Sequence, residues 1–201
     1  APMTEATGLH LGFDWSVAPP PPRPLAARVV DTTFGEWRLT TKAAKLDDSC
    51  LALLQAMTSI GIVHLDLGRL DVGDPELLRA LVRQASLTTS ELQLVASCDR
   101  LSTSLPIASD LADQTGRPLE LGLEFASPRL RAKVDGWQLH DFLDYLQAGV
   151  ATAVSAGLTV NGIIDDAAQT APDVLAAELI VVADSGASRI TLCDRRGLAL
   201  P

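Results

Sequence analysis

The sequence holds no run of about 18 consecutive apolar residues, the length a bilayer-crossing helix requires, although 47% of its 201 residues are apolar. Nor does it open on the basic-then-apolar pattern of a secretory signal, so a soluble, cytoplasmic protein is expected. Cysteine is scarce. Cys50, Cys98 and Cys193 are far apart, odd in number and in no C-x-x-C pair, which argues against a disulfide scaffold or a zinc ribbon and suits a reducing compartment. All three are expected to behave as small buried apolar residues. Basic residues are outnumbered, 16 Lys and Arg against 25 Asp and Glu, for a net charge of -9 and a pI near 4.7. A nucleic-acid surface rests on Lys and Arg facing phosphates, so no nucleic-acid partner is expected. Histidine is limited to His10, His64 and His140, with no His-x-His pair, and each is expected to do structural or surface duty.

What is present divides the chain in two. Residues 1–26 form a proline-rich arm, in which "VAPPPPRP" imposes polyproline II or irregular backbone. Phe13 and Trp15, in "LHLGFDW", can pin this arm to the body or hold a partner. Residues 27–201 are long enough for one hydrophobic core. In them, β-rich runs ("ARVVDTT", "VHLDLG", "LQLVASC", "LELGLEFA", "LTVNGII", "SRITLCD") alternate with segments whose apolar residues recur at helical spacing. Four of these five helical segments end in a glycine, the usual stop signal.

Six strands separated by helices make repeated βα units, which set strands parallel in one sheet. Most strands read as apolar on both faces, as a covered sheet or a closed barrel requires. Polar residues fall toward the strands' C-terminal ends: Asp31, Asp66, Cys98, Ser127, Asp165, Asp166 and Asp194. Parallel α/β folds place ligands there; the plainer alternative is that such residues cap the helix that follows. Periodicity leaves a doubly wound sheet and a (β/α)8 barrel both open.

The motifs choose between them. "DTTFGEW" resembles the Asp-x-Thr-Leu-Arg-(Asp/Glu)-Gly signature of the DRE-TIM metallolyases, the superfamily of homocitrate synthase, 2-isopropylmalate synthase and hydroxymethylglutaryl-CoA lyase. "GIVHLDLGRLDVGDPE" resembles the second strand of that superfamily, and "LEFASPRLRAKV" its fourth strand with the following Ser-Asp-x-His loop. The segment from Gly157 to Pro201 resembles, without a gap, the homocitrate synthase pattern of a strand ending Glu-Asp-x-x-Arg, a helix, and a strand ending Asp-Thr-x-Gly. The resemblance implies a parallel TIM-barrel-like α/β fold, here about six βα units with the last two absent. It also implies a divalent metal at the C-terminal face and an acetyl-CoA-dependent Claisen condensation on a 2-oxo acid.

Each implied role demands its own residue type. Asp31 matches the metal-binding Asp, and Asp165 and Asp166 match Glu-Asp. Gly35 stands where the superfamily has its catalytic Arg, a role left empty unless Arg38 reaches in. Arg129 takes the place of a His, and an arginine cannot shuttle protons near neutral pH. Gln169 replaces an Arg and Arg195 a Thr. The His-x-His pair of the seventh strand has no counterpart before Pro201.

The expectation is therefore a degenerate homocitrate/isopropylmalate synthase-like chain, a non-catalytic or partner-dependent subunit with structural or regulatory work. No cofactor is expected for the isolated chain. Asp31, Asp66, Asp165 and Asp166 are then vestigial, and Arg129 and Arg195 are candidates to hold a carboxylate or phosphate. The alternative is an active acyltransferase or lyase whose missing metal ligands a partner donates. Open first and last strands call for cover by the arm, a second copy or a homologous subunit, so an oligomer is expected.

Overall fold

A computed structural model of the chain describes residues 29–40, 47–62, 64–88, 91–116, 119–194 and 197. The proline-rich arm, His10, Arg195 and Arg196 lie outside the described residues. Within them run β1 (Val30–Asp31), α1 (Thr33–Thr40), α2 (Asp48–Ser59), β2 (His64–Arg69), α3 (Pro75–Thr88), β3 (Glu91–Ser97) and α4 (Leu101–Thr115). Then follow β4 (Leu119–Phe125), α5 (Pro128–Val134), α6 (Leu139–Ser155), β5 (Thr159–Ile164), α7 (Pro172–Asp184) and β6 (Arg189–Leu192). Single 3-10 turns at Cys98–Arg100 and Ala167–Gln169 follow β3 and β5.

All six strands are parallel and lie side by side in chain order, β1-β2-β3-β4-β5-β6. A doubly wound sheet reverses its order at a switch point; this one does not, and the six units form an incomplete TIM-barrel-like half-barrel. No helix among the described residues is long and apolar enough to cross a membrane.

The strands are not apolar on both faces. Leu65 and Leu67, Leu92 and Leu94, Leu121 and Leu123, and Val160 are buried toward the helices. The alternate positions are mostly polar, Asp66, Gln93, Glu120, Glu124 and Asn161, with Gly122 and the buried Val95 and Ile163 among them. Apolar runs with polar residues at most second places read as continuous when counted, but period-2 geometry sends the two sets to opposite faces. The helix-covered side is therefore the core, joined by Leu54, Leu78, Leu81, Leu111, Leu146 and Val150 from α2, α3, α4 and α6.

Two helices are not visible in the apolar pattern. The first strand, expected to run through Thr33, stops at Asp31, and α1 begins at Thr33. Its cause is local: Asp31 Oδ1 accepts the Thr33 N–H at 2.9 Å, satisfying one of the donors a helix start leaves free. In α5, Ser127 caps the helix by accepting from Leu130 N and Pro128 occupies the first turn, a favoured opening. Cys50 and Cys98 are buried as expected, whereas Cys193 is half-buried just past β6; none of the three is in a disulfide.

Candidate functional site

At the start of the sheet, the DTTFGEW motif is spent on packing. Gly35 lies against β2: a Cβ there would come within 3.0 Å of both Gly68 N and Gly68 Cα. The fit is reciprocal, because a Cβ on Gly68 would lie 2.8 Å from Gly35 Cα, and Gly68 also has φ +80°, a conformation that favours glycine. Position 35 is thus a close backbone-to-backbone contact, where a side chain would require the Gly68 backbone to give by a few tenths of an ångström. Arg38 does not reach into the sheet's mouth either. It is buried, and its guanidinium donates to the carbonyls of Leu67 at 2.6 Å, Arg69 at 3.2 Å and Val72 at 2.8 Å, clasping the β2–α3 loop. Burial lowers its pKa, against the pull of nearby Asp66.

Asp31 turns both carboxylate oxygens to Thr33, one to the amide and one to the hydroxyl at 3.2 Å. Asp66 lies in the middle of β2 rather than at its end. Its carboxylate accepts from Gly68 N at 2.7 Å and from Gln93 Nε2 at 3.3 Å. Burial raises its pKa, Gly68 opposes, and Glu124 and Glu36 add to the rise. The polar run continues across the sheet: Asn161 Nδ2 donates to Gln93 Oε1 at 3.5 Å and Thr191 Oγ1 to Asn161 Oδ1 at 3.0 Å. Gly122 on the intervening β4 leaves the space, since a Cβ there would lie 3.3 Å from Gln93 Nε2 and 2.9 Å from Ile163.

Toward the strand ends Arg69 forms a fork on Asp71, at 3.0 and 3.1 Å, and a further bond to Glu124, while Arg100 reaches Asp71 at 3.2 Å. The Arg69 bonds hold the Asp71 carboxyl below its ordinary pKa. No sequence motif announces this ion network, because its members come from β2, the β2–α3 loop, β4 and the turn after β3. His64 sits at the opposite end of the sheet, its Nδ1 2.8 Å from Glu91, in a structural role.

The remaining candidates converge elsewhere. A cavity of about 730 Å3 opens beyond the ends of β4 and β5, and Arg129, Asp165, Asp166 and Gln169 all line it. Its walls are α5 with its two flanking loops (Ala126, Ser127, Arg129, Leu130, Lys133, Trp137), the start of α6 (Leu139, Phe142) and the β5–α7 connection with Val174. Asp166 is in the left-handed region, φ 54° and ψ 29°. An Asp tolerates this better than most residues. Here the conformation is locked by Gln169 N donating to Asp166 O at 2.8 Å, and Gln169 Nε2 donates to its side chain at 3.3 Å. On α5, Arg131 points away from the cavity. It bonds Asp99, Asp135 at 2.9 Å and Tyr145 at 3.2 Å, and lies over the Trp137 and Tyr145 rings at 4.9 and 5.1 Å. Beneath the same cluster, the Cys98 thiol is pushed up to about 11, chiefly by burial.

The chain matches no family model, and no curated protein matches it either. Solved structures do match. The HMG-CoA lyase from Brucella melitensis aligns over 87% of this chain and 63% of its own, at 12% identity and TM-score 0.53. The hydroxymethylglutaryl-CoA lyase from Pseudomonas aeruginosa aligns over 86% and 59%, at 14% identity and TM-score 0.55. The HMG-CoA lyase from Bacillus subtilis gives the same coverage and identity with TM-score 0.54. The likeness is one of fold. This chain spans about three fifths of the length of the structures it matches.

The divalent metal implied by the resemblance does not fit the residues described. Such an ion needs three or more ligands from protein or water in an open arrangement. Both Asp31 oxygens are engaged by Thr33, and among the described residues no three His, Cys, Asp or Glu side chains come together as a ligand set.

Proposed function

We propose that this chain is a degenerate member of the DRE-TIM metallolyases, of the homocitrate/isopropylmalate synthase branch, acting in the cytoplasm as a non-catalytic or partner-dependent subunit. The observation that carries the reading is the interlock of Gly35 with Gly68. The resemblance asks for an arginine at position 35 to steady an enolate, and Gly35, packed closely on Gly68, has no side chain to present. Arg38 offers no substitute, since three carbonyls hold its guanidinium.

In this reading Asp31, Asp66, Asp165 and Asp166 keep positions without keeping chemistry. β1 and β6 are the outermost strands among the described residues, and a second copy or a homologous chain covers them. The fold shared with the lyases supports the ancestry, and the changed residues support the loss of activity.

The test is metal analysis and a CoA-release assay on the protein, alone and after mixing with a homologue that carries His-x-His. The expected outcome for the protein alone is substoichiometric metal and no acetyl-CoA-dependent CoA release with any 2-oxo acid. Stoichiometric metal, with CoA release abolished by Asp31→Ala, would overturn the proposal in favour of an active condensing enzyme.

A further inference from the structure

The cavity beyond β4 and β5 is built differently from the polar side of the sheet. Asp66, Gln93, Glu124 and Asn161 do not line it, whereas Phe142 and Val174, from the starts of α6 and α7, do. It therefore lies beside the polar side of the sheet, and it is lined by Arg129, Asp165, Asp166 and Gln169, the residues at the changed motif positions.

Its charges are arranged by wall. Arg129 and Lys133 are four residues apart on α5, hence on one face of that helix, and both line the cavity. Both are exposed, and among the described residues no carboxylate pairs with either one; Arg131, between them, takes Asp99 and Asp135 instead. Across the cavity the β5–α7 connection carries both Asp165 and Asp166, and the Asp166 carboxylate accepts from the neutral Gln169 amide. Between the poles the lining is apolar: Leu130, Leu139, Phe142 and Val174. Two primary amides, Gln138 and Gln169, also face the space. Each retains hydrogen-bonding capacity beyond its single local contact, to the α6 backbone and to Asp166 respectively.

A cation pair on one wall, a carboxylate on the other, apolar surface between them and amides at the side together describe a complement. The geometry points to a binding site for a short apolar peptide with free termini, about a dipeptide in size. The peptide carboxylate faces Arg129 and Lys133, its ammonium faces Asp166, its side chains lie on Leu139, Phe142 and Val174, and its amide meets Gln138 and Gln169. A volume of about 730 Å3 is within the range of small-molecule sites.

The experiment is isothermal titration of the full chain at low ionic strength with Leu-Leu, N-acetyl-Leu-Leu and Leu-Leu-amide. The indole N–H resonance of Trp137 is followed by NMR to place the site. Leu-Leu is expected to bind, with each capped form weaker by about tenfold, the worth of one charge-assisted contact. Arg129→Gln with Lys133→Gln is expected to weaken Leu-Leu by about tenfold or more while leaving the binding of Leu-Leu-amide, which has no carboxylate, unchanged. Arg83→Gln, on exposed α3 surface, is the control for general charge. The proposal is overturned if Leu-Leu does not bind, if a capped form binds as tightly, if Arg83→Gln acts like the double variant, or if Trp137 does not respond. None of these readouts depends on metal or CoA, so its failure is distinct from a failure of the proposed ancestry.

Discussion

The first βα unit and the unit between β4 and β5 occupy equivalent places in the fold and have been put to opposite use. At β1 the strand is two residues long, the helix starts at once, and the motif's Asp31, Phe34 and Gly35 are engaged locally or buried. At β4 and β5, strands of seven and six residues end in longer connections that stand apart and leave a cavity. The motif that opens the superfamily's signature is thus structurally closed, while the residues at its later motif positions, Arg129, Asp165, Asp166 and Gln169, line an open cavity. Similarity of motif and availability of a site are separate properties, because the first is carried by residue types and the second by how far apart the backbones stand.

The sharpest way to break this contrast is to restore the motif. Gly35→Arg crowds the backbone at the Gly68 contact and is expected to destabilise the fold by about 3 kcal/mol, the upper end of what overpacking costs. Urea unfolding measures it, and an unchanged midpoint would mean that α1 is not seated on β2. The next effect tests the open side from below. Glu178 lies one turn along α7 from Val174, which lines the cavity. It is fully buried, with neither carboxylate oxygen hydrogen-bonded. Burial pushes its carboxyl from 4.5 up to about 7. A raised carboxyl pKa means the fold carries no penalty below about pH 4.5, an increasing one between pH 4.5 and 7, and a constant one above. Glu178→Gln should therefore gain about 3 kcal/mol more stability at pH 8 than at pH 4, because each tenfold change in a protonation equilibrium is worth about 1.4 kcal/mol. Equal effects at the two pH values would place Glu178 in solvent. The smallest effect belongs to Asp31. Its work in the structure is to hold the first turn of α1, so Asp31→Ala is expected to cost about 1 kcal/mol. A loss several times larger, or one that grows when divalent metal is added, would return Asp31 to ligand duty.

Strands β2 to β6 can be located from the sequence because each follows a helix with clear periodicity, and because Gly61, Gly116, Gly157 and Gly186 stop helices with the left-handed φ that glycine tolerates. The helix α1 is hidden by its composition: Thr32, Thr33 and Gly35 oppose a helix, and only Asp31 beside the start announces one. The Ser127-Pro128 pair that opens α5 is a readable signal. What lies beyond reading is proximity. Arg69 and Glu124 are 55 residues apart and bond directly, while Asp31, grouped with Asp165 and Asp166 by motif, does not share their cavity. Strand-end position gives the level along the barrel axis but not which neighbouring loops lean together.

Gly122 has a further meaning for how the chain finds its register. With no side chain on β4 at this level, Gln93 and Asn161 meet across it, coupling strands that are not neighbours. Because side chains alternate faces with period two, a one-residue slip of β5 would turn Asn161 into the leucine layer and strand Gln93 and Thr191 without their shared partner. A two-residue slip, which keeps each side chain on its face, would still exchange one apolar residue for another in the core while taking Asn161 away from Gln93 and Thr191. The missing Cβ thus lets a row of amides act as the key that admits one alignment of the central strands and refuses its neighbours.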